Sequence, residues 1–342
     1  MDPTMRDTDK YADTRTTRPP ERRALITGGA GFLGVNAAIH LIKEGWAVTL
    51  LDNLSRPGTE RNLKWVLTRY PTRVTFVKED VRNADALADH VKGQDAILHL
   101  AGQVAVTTSL VDPNTDFDVN ARGTLNVLEA ARIHNHDAPL IFSSTNKVYG
   151  KLDHNNGPCA ETQPLDFHSP YGCSKGAADQ YVRDYARVFG MNTIVLRQSC
   201  IYGSHQYGTE DQGWVAHFVH SILRERPLTI YGDGTQVRDL LDARDLSALY
   251  VTAIDKIAIA RGEIYNVGGG TENQRNLLEV IDQIGELTNH KPQFSFADWR
   301  EGDQKYYVSD IEKARRDLGW APKIDFDQGL RDLTTWAESV TS

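Results

Sequence analysis

The strongest constraint on this chain lies near its start. A short apolar run, Ala24-Leu25-Ile26-Thr27, passes directly into Gly28-Gly29-Ala30-Gly31-Phe32-Leu33-Gly34. The run reads as a buried parallel strand, and residues 35–42 continue with helical apolar spacing. Strand, glycine turn and helix in that order form the context of a dinucleotide site. Gly28 permits the tight turn, Gly31 lets the backbone approach a pyrophosphate, and Gly34 lets the helix pack closely on the strand. Free N–H groups and the positive dipole end of the helix then face the phosphates. A second strand over residues 46–51 ends at Asp52. A carboxylate there suits the ribose hydroxyls of NAD and repels the 2′-phosphate of NADP. Arg56 lies close by and would accept such a phosphate, but Asp52 at the strand end favours NAD. The competing role for Asp52 is a turn residue within Asp52-Asn53-Leu54-Ser55.

Further apolar runs at 74–77, 96–100, 140–143 and 192–196 alternate with helical patterns, among them 120–133 and 176–189. Such alternation predicts an α/β fold, a Rossmann doubly wound parallel sheet wrapped by helices. A smaller mixed α/β C-terminal domain is expected to complete it. The organisation expected is a flexible leader over 1–22, a cofactor domain over 23–197 with some later segments returning to it, and a mainly substrate-binding region over 198–342. Ligands gather at the carboxyl ends of the strands in such sheets. Thr27-Gly28, Asp52, Asp80, Ala101 and Ser144-Thr145 all fall at those ends.

Composition narrows the function. The chain has 342 residues and a formal net charge of −8, which argues against nucleic acid as the main partner. No apolar stretch reaches membrane-spanning length. Cys159, Cys173 and Cys200 show neither metal-ligand spacing nor a disulfide framework, so no metal is expected and a reducing cytoplasm suits the chain. The polar leader lacks the apolar core of a signal peptide.

Tyr171-Gly172-Cys173-Ser174-Lys175 carries the chemistry. A tyrosine and a lysine one helical turn apart share a helix face. A free phenol has a pKa of about 10 and is a poor base at neutral pH. A nearby ammonium stabilises the phenolate and lowers that value, making the pair a general base for a sugar hydroxyl. The spacing alone is common on exposed helices; the dinucleotide motif before it gives it meaning.

Together with His99-Leu100-Ala101-Gly102, Asn120-x-x-Gly123-Thr124, Ser143-Ser144-Thr145 and Val148-Tyr149-Gly150, these motifs resemble the extended short-chain dehydrogenase/reductase superfamily. More narrowly, they resemble its nucleotide-sugar epimerases and dehydratases, over residues 23–337. Two stretches, 165–181 and Asp211-Gln212-Gly213-Trp214-Val215, resemble the 2-epimerases of CDP-linked sugars. The resemblance implies NAD as cofactor, contacted by Gly28, Gly31, Phe32, Leu33, Asp52, Asn53, Asp80, Val81, Leu100, Ala101, Gly102, Gln103, Asn120, Ser143, Tyr171 and Lys175. It implies Thr145, Tyr171 and Lys175 as the catalytic set. For a nucleotide-diphosphate sugar it implies Thr145, Asn146, Lys147, Gln198, Gln206, Arg238, Arg300 and Asp303. Helices at about 114–134 and 172–189 are the pair through which such enzymes form homodimers.

The chemistry expected is transient oxidation. A carbinol hydrogen leaves as hydride once the adjacent hydroxyl loses its proton to Tyr171. Thr145 steadies the charge developing on that oxygen, or alternatively caps local backbone, as threonines often do. Lys175 holds the tyrosinate and the nicotinamide ribose. Return of hydride to the opposite face inverts the carbon, so NAD stays bound between turnovers. Related dehydratases carry Asp-Glu directly after the threonine; here Asn146 and Lys147 stand there. An amide transfers no proton near neutral pH and lysine has the wrong charge state for that role, so elimination of water is not expected. Cys200 and Ser204 depart from the family's Asn and Pro, putting a diphosphate contact in doubt. Arg238 and Arg300 suit a diphosphate by their guanidinium forks. Trp214 is read equally as a stacking or a structural residue, and His168 as a loop residue. The alternatives to a CDP-sugar 2-epimerase are a UDP-sugar 4-epimerase and a non-enzymatic NAD-binding regulator. Retention of Tyr171, Lys175 and Thr145 speaks against the regulator.

Overall fold

The computed structural model describes residues 21–152, 157–300 and 304–341. Most of the expected leader, and Asp303, lie outside the described residues.

Seven parallel strands form the main sheet: β1 (Arg23–Thr27), β2 (Ala47–Leu51), β3 (Val74–Val77), β4 (Ala96–His99), β5 (Leu140–Thr145), β6 (Thr193–Gln198) and, from the second half of the chain, a strand at Ile264–Val267. Their order is that last strand, then β6-β5-β4-β1-β2-β3. Ala24, Leu25 and Ile26 of β1 and all of β4 and β6 are buried, as expected for strands covered on both faces. One face packs Trp46, Leu98, Leu249 and Tyr265; the other packs Leu25, Val127, Phe142, Val182 and Val195. Strand order reverses between β1 and β4, which opens a crevice at their carboxyl ends.

Three helices differ from the sequence pattern. The first begins at Phe32 and runs to Lys43, directly from the glycine turn. The pattern at 120–133 divides into a single π turn, Asp118–Arg122, and an α-helix, Gly123–His134. The long helix Ser169–Phe189 starts seven residues before its apolar pattern does, because Pro170 occupies its first turn, where a missing N–H costs nothing. Tyr171 and Lys175 therefore both lie inside that helix.

Past β6 the chain builds smaller sheets. A strand at Cys200–Tyr202 and one at Tyr306–Tyr307 both run parallel to Val237–Asp242, whose first half pairs antiparallel with Gln274–Asn276. Leu228–Tyr231 pairs with Phe294–Ala297. Helices Trp214–Leu223, Leu277–Thr288 and Phe326–Thr341 close over them around Tyr202, Phe218, Ile230, Leu240, Ile281 and Leu333. The helix Ala243–Asp255 packs back on Phe32–Lys43, so the second half also completes the first layer. Among the described residues no helix is long and apolar enough to cross a membrane.

Candidate active site

Two adjoining cavities open at the carboxyl ends of the sheet, and Val104, Gln206 and Gln212 line both. The larger, of about 490 Å³, lies over the glycine turn. Gly28 has φ +68, and a Cβ there would stand 2.8 Å from the Ala101 nitrogen. A Cβ on Gly34 would collide with Gly28 O, so the helix approaches the strand as closely as glycine allows. Gly31 caps the helix with no side-chain bond, leaving its first N–H groups open to an anion. Gly28, Gly31, Phe32, Leu33, Asp52, Asn53, Asp80, Val81, Leu100, Ala101, Gly102 and Gln103 all line this cavity. The donor set and the glycine cradle fit NAD.

Asp52 is buried and accepts from Ala30 N at 3.1 Å and Leu54 N at 2.8 Å. Its turn role is therefore real, and it coexists with a place in the cavity wall. Burial raises its carboxyl above the usual value, against those backbone bonds. Asp80, held by Arg82 and by Asn53 at 2.8 Å, is lowered to about 2. Asn120 does not line the cavity. Its side chain brackets Gln103, accepting from Gln103 N at 2.9 Å and donating to Gln103 O at 3.0 Å, so it shapes the turn from behind.

Tyr171 and Thr145, the latter at the end of β5, line the second cavity. Burial pushes the Tyr171 phenol up to about 12; a hydrogen bond with Thr145 and the charge of Arg56 lower it, while Asp116 raises it. Here the expectation of a phenol lowered directly by Lys175 is corrected. The Lys175 ammonium donates to Ser143 O at 2.5 Å and lies 4.2 Å from the centre of the Phe142 ring. Burial brings Lys175 down to about 7, opposed by the charges of Asp179 and Asp116. Thr145 Oγ1 also accepts from Lys147 N at 3.2 Å, so its capping role is real as well.

The second cavity, of about 290 Å³, is lined by Thr145, Asn146, Lys147, Tyr171, Cys200, Gln206, Arg238 and Arg300 among others. Arg238 is buried, with Nη1 on Val237 O at 2.7 Å and Nη2 on Gln304 O. Arg300 lies 3.7 Å from the centre of the Tyr231 ring and pairs with Glu210 at 2.9 Å and Asp211 at 3.3 Å. Trp214 packs edge-on to Phe218 and lines the same cavity as Cys200. Gln198 is brought elsewhere: it is buried and donates to Tyr250 Oη at 3.2 Å, outside both linings. His168 pairs with Asp166 at 2.9 Å and lines neither cavity. Sequence reasoning missed Tyr207, whose ring seats on Gly58 so tightly that a Cβ there would lie 2.5 Å away. It also missed Glu210 as the partner of Arg300, and Asp116 behind the catalytic helix; each pairing spans distant segments and leaves no local signal.

Residues 25–333 match the GDP-mannose 4,6-dehydratase family. The chain belongs to this family. It is an extended short-chain dehydrogenase/reductase, within the NAD-dependent nucleotide-sugar epimerases and dehydratases. It is 42% identical to CDP-paratose 2-epimerase of Salmonella typhi over 93% of this chain and 100% of that protein. The structure is similar to UDP-glucose 4-epimerase of Thermus thermophilus in complex with NAD, at 31% identity and a TM-score of 0.83, covering 92% and 99% of the two chains. It is likewise similar to UDP-glucuronic acid 4-epimerase of Bacillus cereus in complex with UDP-glucuronic acid and NAD, at 28% identity and a TM-score of 0.84, covering 93% and 99%. The cofactor of this GDP-mannose 4,6-dehydratase family member is NAD.

Proposed function

We infer that the chain is a nucleotide-sugar epimerase that inverts C2 of a CDP-linked sugar. The observation that carries this reading is one cavity holding Tyr171 and Thr145 together with Arg238 and Arg300, with Asn146 and Lys147 in place of an acid pair. The 42% identity to a CDP-paratose 2-epimerase supports the sugar and the carbon.

Bound NAD supplies a reversible hydride acceptor. Tyr171 takes the proton of the reacting hydroxyl, and Thr145 donates to the oxygen as charge develops there. Lys175 holds positive charge at the end of β5. Asp52 receives the adenosine ribose, and the open N–H groups after Gly31 receive the pyrophosphate. Arg238 and Arg300 take the substrate diphosphate, a dianion that a guanidinium fork matches; Arg300 exchanges its contact with Glu210 to do so. With Asn146 and Lys147 directly after Thr145, the two positions that carry an acid pair in related dehydratases hold none to remove water. A homodimer through the long helix is part of the same reading, supported by exposed Phe117, Ile133, Tyr181 and Val188 on the segments concerned.

Incubation with CDP- and UDP-linked hexoses, followed by NMR of the products, tests the assignment. Inversion at C2 of a CDP-sugar is expected. Inversion at C4 of a UDP-sugar would replace this reading with a 4-epimerase.

A further inference from the structure

A carboxylate that the chemistry above does not use lies buried behind the catalytic helix. Asp116, on the short helix Pro113–Phe117, is fully buried. Its Oδ2 accepts from Ser174 Oγ at 2.5 Å, and its Oδ1 accepts from Gln103 Nε2 at 2.9 Å and Asn120 Nδ2 at 3.2 Å. Ser174 is the residue before Lys175, and Gln103 belongs to the turn lining the cofactor cavity. Burial raises this carboxyl above the usual value, opposed by the Ser174 bond, the charge of Lys175 and the Gln103 bond; three donors and no acceptor surround it, and they favour the ionised form. All three donors are neutral, so none of them cancels its charge.

We propose that Asp116 is a positioning residue of this site: through Gln103 and Ser174 it ties the cofactor-lining turn to the catalytic helix, and it sets a carboxylate behind the turn of that helix that carries Lys175. This rests on the Tyr171–Lys175 reading of the reaction.

The groups facing Lys175 can be taken element by element. Ser143 O and the Phe142 ring of β5 carry no net charge. His99 of β4 is neutral, its pKa lowered to about 3 by burial and by Lys175 itself. On the same helix, Asp179 raises Lys175 most, but it already pairs with Arg197 of β6 at 2.8 Å and accepts from Ser144 Oγ at 2.7 Å. Tyr171 precedes Lys175 by one turn and is uncharged until it gives up its proton; the charge of Arg56 acts on it. Asp116 is the remaining anion that raises Lys175, and it has no cation of its own bonded to it. A buried ammonium without such a counter-charge loses its proton.

Asp116→Asn removes the charge while keeping the shape. Ser174 Oγ, 3.2 Å from Tyr171 O, retains an acceptor for its own proton and accepts from the new amide. The test is the pH dependence of turnover of the NAD-loaded enzyme, with bound NAD per chain measured in parallel. In the wild type the high-pH limb marks loss of the Lys175 proton. Asp116→Asn shifts that limb down by about one pH unit, the scale of one nearby opposite charge, and leaves NAD content unchanged because its carbonyl oxygen still accepts from Gln103. A limb that stays at the wild-type pH overturns the proposal. Where Asp116→Asn does not fold, Asp116→Ser is read in the same way. Tyr171→Phe is run alongside: if it keeps near-wild-type turnover, the underlying reaction reading fails; if it is inactive while the limb stays in place, only the role of Asp116 fails.

Discussion

The Lys175 ammonium donates to the carbonyl oxygen of Ser143 at 2.5 Å, which anchors the catalytic helix to the end of β5. That bond fixes one cation at the strand end where Thr145 and the cofactor-lining turn converge. Lys175→Met removes the charge and the anchor together. Turnover should fall by about 10²-fold or more, and the isolated protein should carry less NAD, measured by absorbance after denaturation. Wild-type turnover with full NAD content would remove Lys175 from the catalytic set.

His99 bears on stability rather than on chemistry. It is fully buried between Thr27 Oγ1 at 2.7 Å and Thr124 Oγ1 at 3.0 Å, and its pKa falls from 6.5 to about 3. Burial is the main cause, and the Lys175 charge adds to it. Below 6.5 the unfolded chain binds a proton that the folded chain refuses, so the stability contributed by neutral His99 is present above that value and is lost as pH falls. Between pH 7 and pH 5 the loss is on the order of 2 kcal/mol. Urea midpoints across this range should show it, and His99→Gln should flatten the slope. An unchanged slope would assign the acid sensitivity elsewhere.

Part of this fold was legible because parallel strands are uninterrupted apolar runs. Leu25, Ile97 and Val195 announce β1, β4 and β6 without help from distant residues. The short strands Cys200–Tyr202 and Tyr306–Tyr307 were not legible, since neither has a pattern and each exists only by pairing with Val237–Asp242. The start of the catalytic helix was hidden by polar residues at 168–169, although Pro170 marked it. In the site, Tyr171 and Lys175 were readable from spacing, and the glycines from their place between strand and helix. Asp116 with Ser174, and Glu210 with Arg300, were not, because tertiary packing alone brings them together. Gln198 shows the converse: a polar residue at a strand end reads as a ligand contact, but here it is directed into the core toward Tyr250.

The dimer reading makes a separate prediction. Tyr181 and Val188 are seven residues apart on one helix, so they share a face, and both are exposed, as is Ile133 on the other. Light scattering should give a dimer mass for the wild type. Val188→Asp combined with Ile133→Asp should give the monomer. A monomeric wild type would contradict the interface.

The central claim is that one hydrogen leaves a carbinol carbon as hydride and returns to its other face. Incubation of the enzyme with its sugar nucleotide in D₂O, read by NMR at the inverted carbon, tests this most directly. The account predicts full epimerisation with no deuterium at that carbon. Deuterium there would mean that the hydrogen exchanges with solvent as a proton, and would contradict it.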